Sequence, residues 1–150
     1  MQLVLIFTVT HVFAAPADDS AWTLVSEKGL QGQTAATSNN RWVQPSRYQK
    51  ARLDLTAFGQ QLNVAGLADA GVIVSIPSPD GSLERFRVTP AGDMHPELQL
   101  WFARQGIPMQ TYKGVSLDKP GNTIRMDFGG PGGLHASVFS VGKSYFVDPL

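Results

Sequence analysis

From residue 71 onward, turn-forming residues interrupt the chain so often that only short elements fit between them. The stretch IPSPDGSLERFRV, residues 76–88, carries the pattern in full: an apolar run, a Pro-Asp-Gly turn and a return run. Asp-Gly between two apolar runs is a strong short-range hairpin signal. Pro77 and Pro79 stop the ladder because proline has no N–H to give it. Residues 71–77 and 82–88 therefore read as paired strands, with Phe86 and Val88 on one face and Arg85 and Arg87 on the other.

The same logic runs on. Residues 89–92, Thr-Pro-Ala-Gly, read as a turn. Pro96 suits the first position of a helix, Leu98, Trp101 and Phe102 have helical spacing, and Gly106 stands where a helix ends. Residues 108–116 read as extended and 118–122 as a turn. In 123–128, Ile124, Met126 and Phe128 alternate with Arg125 and Asp127, the period of a half-buried strand. The Gly-Gly-Pro-Gly-Gly of 129–133 turns into a strand at 134–141, and Gly142-Lys143 turns into the final strand. Upstream, residues 21–28 and 47–55 read as strands and 29–40 as a polar connection. Thr56 is the expected cap of a short helix showing Phe58, Leu62 and Ala65 on one face. Hairpins without strand–helix–strand alternation predict an α+β fold, mainly β. Its antiparallel sheet would carry one or two short helices and end in a three-strand meander.

The 150 residues suit one domain, and 43% apolar against 16% charged residues is a globular composition. A formal net charge of zero leaves no basic surplus for nucleic acid or an anionic membrane. The absence of cysteine excludes thiol catalysis, disulfides and thiolate metal sites. Residues 1–17 read as a secretory signal, cleaved after Ala14 or Ala17, although no Lys or Arg precedes the apolar run. That run, residues 3–15, is shorter than the roughly 20 residues of a membrane span. The expectation is a single domain over 18–150, secreted or held in a bacterial envelope.

The search for chemistry returns little. His95 and His135 have no metal-site spacing, and a catalytic zinc usually needs three protein ligands; Asp127 or Glu97 would have to join them by folding alone. His95 beside Pro96 reads as a helix cap or surface residue, and His135 as an exposed strand residue. No G-x-S-x-G elbow exists. Gly142-Lys143-Ser144 is preceded and followed by strand-like residues, unlike a P-loop. Asp80, Asp93 and Asp148 lie beside Pro or Gly and Asp118 two residues before Pro120, and all four read as turn residues. Trp22, Trp42, Trp101, Tyr112 and Tyr145 read as core or half-buried strand residues; a glycan-stacking face is the alternative. No catalytic residue, cofactor or metal ligand is assigned, and a role in binding is expected.

The order of these motifs resembles the amino-terminal prodomain of bacterial secreted zinc metallopeptidases of the reprolysin-like group. The residues carrying the likeness are Pro77, Pro79-Asp80-Gly81, Phe86, Met94, Pro96-Glu97-Leu98, Tyr112, Gly114, Arg125, Asp127, Leu134-His135-Ala136 and Val147-Asp148-Pro149. The likeness covers residues 22–150. In that family a catalytic domain with an HExxH zinc motif follows, and this chain has no HExxH. The resemblance implies a non-catalytic module that assists folding of a zinc peptidase domain or inhibits it sterically, as a fragment or in trans. A cysteine block of the zinc, used by some metallopeptidase prodomains, is closed to it. The alternatives are a stand-alone binding module for glycan or peptide, marked by Trp42, Trp101 and Tyr112 on one exposed face, and a small hydrolase using His95 or His135.

Overall fold

The computed structural model describes residues 21–25, 48–65 and 70–149. The expected export segment, the polar connection at 29–40, Trp42 and Arg47 lie outside them. Strands β1 (Trp22–Leu24) and β2 (Ala51–Leu53) pair antiparallel as a small sheet. Helix α1 (Leu55–Ala65) follows, then β3 (Val72–Pro77), β4 (Leu83–Pro90), α2 (Pro96–Arg104), β5 (Gln110–Ser116), β6 (Thr123–Gly130), β7 (Gly133–Ser140) and β8 (Lys143–Val147). The last six strands form one antiparallel sheet in the order β3-β4-β5-β6-β7-β8. The fold is thus α+β and mainly β, and the meander runs through all six strands.

Several boundaries differ from the sequence reading by a few residues, and three of them have a local reason. The strand expected to reach residue 55 ends at Leu53 because Asp54, not Thr56, caps α1. Asp54 Oδ1 accepts from the amides of Thr56 at 2.9 Å and Ala57 at 3.0 Å, and a carboxylate there also suits the positive end of the helix. The turn expected at Thr89-Pro90 lies further on, since both residues keep register with Lys113 and Tyr112. Proline is tolerated at the end of a strand, where the ladder needs no further donor. The β7–β8 turn is Val141-Gly142, and Lys143 opens β8.

Alternation assigns one face of the sheet to the core. Val74, Ile76, Phe86, Val88, Tyr112, Ile124, Met126, Leu134, Ala136 and Val138 are buried there, with Phe58 and Leu62 of α1 packed among them. Full burial of one such aromatic ring contributes about 3 kcal/mol. Phe58 meets the ring of Trp22 edge-on at 6.2 Å and that of Phe128 at 5.5 Å. Two glycines sit at close contacts. A Cβ on Gly59 would lie 3.1 Å from the Phe128 ring, a tight contact that the ring would have to yield to by a few tenths of an ångström. Gly114 faces inward at the middle of the sheet, where a Cβ would lie 2.7 Å from Val88 Cγ1.

The sheet curls far enough for β4 and β8 to meet across its interior. Glu84, only 1% exposed, sits on the same face as Phe86 and accepts hydrogen bonds from Asn122 Nδ2 at 2.9 Å and Tyr145 Oη at 3.3 Å. Lys119 Nζ lies 3.5 Å from its carboxylate and 3.3 Å from Asp80. Burial and the Glu84 charge hold the Tyr145 phenol well above its ordinary range, so it stays a donor. Partial desolvation works to lower the Lys119 ammonium, but hydrogen bonding to Asp80 and the charges of Glu84 and Asp80 outweigh it and raise it. Removing one member of a buried charged network leaves its partners unsatisfied. Glu84→Ala should therefore cost about 3 kcal/mol of unfolding free energy, and Lys119→Ala well under half of that because the ammonium is half exposed. Urea unfolding of both variants measures the difference; equal losses would contradict the assignment of Glu84 as the centre of the network.

Candidate functional site

The face of the sheet turned away from α1 is open among the described residues. It carries Arg85 and Arg87 of β4, Thr111 and Lys113 of β5, Arg125 and Asp127 of β6 and His135 and Ser137 of β7, because residues two apart on a strand share a face. Register brings Asp127 directly opposite both Thr111 and His135. Loop residues then fold onto this face. Asp93, ahead of α2, accepts from Thr111 Oγ1 at 2.9 Å and pairs with Arg125. Asp148, just past β8, lies 3.0 Å from His135 Nδ1. Asp93 and Asp148, with Thr111, Arg125, Asp127 and His135, line a shallow depression of about 200 Å³.

Four of the residues carrying the family likeness converge here, Arg125, Asp127, His135 and Asp148, with Tyr112 and Ala136 lining the depression from the buried side. The others lie apart. Pro79-Asp80-Gly81 makes the β3–β4 turn, where Ser82 donates to Asp80 by its amide at 2.9 Å. Phe86 is in the core and Gly114 on the inner face. Pro96, Glu97 and Leu98 form the first turn of α2, which His95 caps by accepting from the Glu97 amide at 3.4 Å. Pro149 follows Asp148, and a Cβ on Gly132 would meet its ring at 3.4 Å.

Chemically, the depression is a set of clasps. A general base must reach its nucleophile within about 3 Å. His135 Nδ1 is engaged by Asp148, and Nε2 abuts the β6–β7 turn, where a Cβ on Gly132 would lie 2.5 Å away. Ser137 is two residues along the strand, roughly 7 Å off, so no serine–histidine pair forms here. No group of three His, Cys, Asp or Glu among the described residues is arranged to hold a metal ion. The volume is below the roughly 300 Å³ at which small-molecule sites begin.

Two features of this region escape the sequence reading. Asp93 and Asp118 are not simple turn residues. Asp118 accepts from the Arg85 amide at 2.7 Å and from its guanidinium at 2.6 Å, so each aspartate ties a loop to an outer-face arginine. The Thr111 hydroxyl, then Arg125, hold the Asp93 carboxyl below its ordinary range; the Arg85 side chain and amide do the same for Asp118. Only their turn positions were legible, since the partners are 18 to 33 residues away.

The second feature is α2. It buries none of its residues: Leu100 is 56% exposed and Trp101 51%, the latter edge-on to Phe102 at 5.0 Å. This corrects the reading of Trp101 as a core or half-buried strand residue. Tyr112 is buried on β5, so it shares no exposed face with Trp101. Trp22 donates to the Ser75 carbonyl at 2.7 Å, and Tyr145 points into the Glu84 network. No helix among the described residues is long and apolar enough to cross a membrane.

Asp127 is the strained member of the depression. Burial, and secondarily the Asp148 charge, raise its carboxyl above the ordinary value, with His135 opposing. A raised carboxyl favours the folded protein when protonated, and that contribution is lost as pH rises through the folded value. Asp127→Asn should raise the thermal midpoint at pH 7 by about 2 °C, with the gain vanishing near pH 3; a loss at pH 7 would mean that attraction to His135 dominates. Comparison with protein-family models, curated proteins and solved structures found no match.

Proposed function

We propose that this chain is a non-catalytic protein-binding module, exported from the cell, that docks on a zinc metallopeptidase domain and assists its folding or blocks its cleft. The observation carrying this reading is α2. Its nine residues include Leu98, Leu100, Trp101 and Phe102, yet none is buried. An isolated helix of that length is marginal in water, and an uncovered apolar helix face marks a surface that gains by being covered. Helix-in-groove recognition uses apolar anchors at this spacing, and tryptophan is enriched among binding hot spots. The order of motifs shared with reprolysin-like prodomains supplies the class of partner.

The outer-face clasps fit the same reading. His135–Asp148, Asp93–Arg125 and Asp118–Arg85 hold loops rigidly against the sheet, and a pre-organised surface loses less entropy on binding. The test is calorimetric titration of the chain with the catalytic domain of a reprolysin-like peptidase from the same genome. Binding at micromolar affinity or better is expected. The double variant Leu98→Ala/Trp101→Ala should weaken it at least about tenfold while leaving the urea midpoint of the chain unchanged. Absence of binding, or binding indifferent to α2, would overturn the reading.

A further inference from the structure

Among the described residues, two cations on the outer face of the sheet, Arg87 and Lys113, have no carboxylate partner. Arg87, Val115, Thr123 and Phe139 form one cross-strand row, and two residues along lie Lys113, Arg125, Ser137 and Phe146. Lys113 stands directly opposite Arg125, and like charges in that position destabilise a sheet. Asp93 answers Arg125 only; among the described residues no carboxylate lies within ion-pair distance of Arg87 or Lys113. Beside them, Val115 is 54%, Phe139 47% and Phe146 67% exposed.

We infer that this face docks a partner polypeptide whose segment presents carboxylates alternating with apolar side chains. The inference rests on the binding-module reading and names the chemistry of a second contact. Charge complementarity carries it: unanswered cations next to exposed aromatic and branched side chains ask for anions and apolar groups together. Spacing agrees. Arg87 and Lys113 are diagonal neighbours on β4 and β5, about 7–8 Å apart, which matches the roughly 7 Å between alternate side chains on one side of an extended segment. Nucleic acid is the less favoured occupant, since the chain as a whole has a formal net charge of zero.

Fluorescence polarisation tests this with a labelled dodecapeptide bearing glutamate at every second position and valine or threonine between. Controls are the same peptide with glutamine for glutamate, and an oligothymidylate of equal length. With protein titrated to about 1 mM, the glutamate peptide should bind at least about tenfold more tightly than the glutamine peptide at low salt. Arg87→Glu/Lys113→Glu, with its fold checked by circular dichroism, should erase that ratio, and Phe146→Ala should weaken both peptides. Equal affinity for the two peptides, or no binding, overturns the inference. So does oligothymidylate binding as tight as that of the glutamate peptide with the same dependence on Arg87 and Lys113. Failure here with α2-dependent peptidase binding intact removes this surface and leaves the binding module standing. Success here without peptidase binding leaves the acidic-segment face and removes the peptidase partner.

Discussion

Phe58, fully buried between the strands and the rings of Trp22 and Phe128, is the contact on which the architecture turns. A two-sided sheet has to choose a face to bury, and α1 makes the choice by placing Phe58 and Leu62 against one of them. Gly59 leaves room for the Phe128 ring against the helix, and Gly114 lets β5 lie close to Arg87 and Val88 of β4. The sheet then bends around the helix, and bending brings Tyr145 of β8 to Glu84 of β4, four strands away in the sheet. Close packing permits this only as a unit: what lets the helix in also sets how far the sheet curls.

A sheet committed on one side leaves the other to solvent. The exposed side is held by polar clasps in place of packing. Asp93, Asp118 and Asp148 each follow or precede a turn, and each reaches back to an outer-face side chain, Arg125, Arg85 or His135. Surface ion pairs of this kind contribute little stability singly. Their value here is orientation: they fix the loop leading into α2, the β5–β6 turn and the segment after β8 against the sheet. The docking role proposed would use the apolar side chains of α2, Phe139 and Phe146, which stand exposed.

The residues that define the candidate surface were partly visible beforehand. Arg125 and Asp127 face outward by alternation with Ile124 and Met126, and His95 reads as a cap from its place before Pro96. Glu84 shows the limit of that method. Alternation puts it on the apolar face with Phe86 and Val88, which flags a buried charge, but its partners Asn122, Lys119 and Tyr145 come from 35 to 61 residues away. Trp101 shows the opposite limit: helical spacing with Leu98 and Phe102 looks like a core-facing stripe, and nothing local reveals that none of the described elements buries it.

By itself the sequence determined the short elements, the antiparallel class and the absence of thiol chemistry. Period-two alternation, Pro-Asp-Gly and Gly-rich turns, and a lack of cysteine act over a few residues or none. Tertiary structure alone decided the meander through six strands, the Asp54 cap in place of Thr56, the gathering of Arg125, Asp127, His135 and Asp148, and the exposure of α2. These depend on which face α1 covers and how tightly the sheet curls, and curvature arises from contacts between residues far apart in the chain.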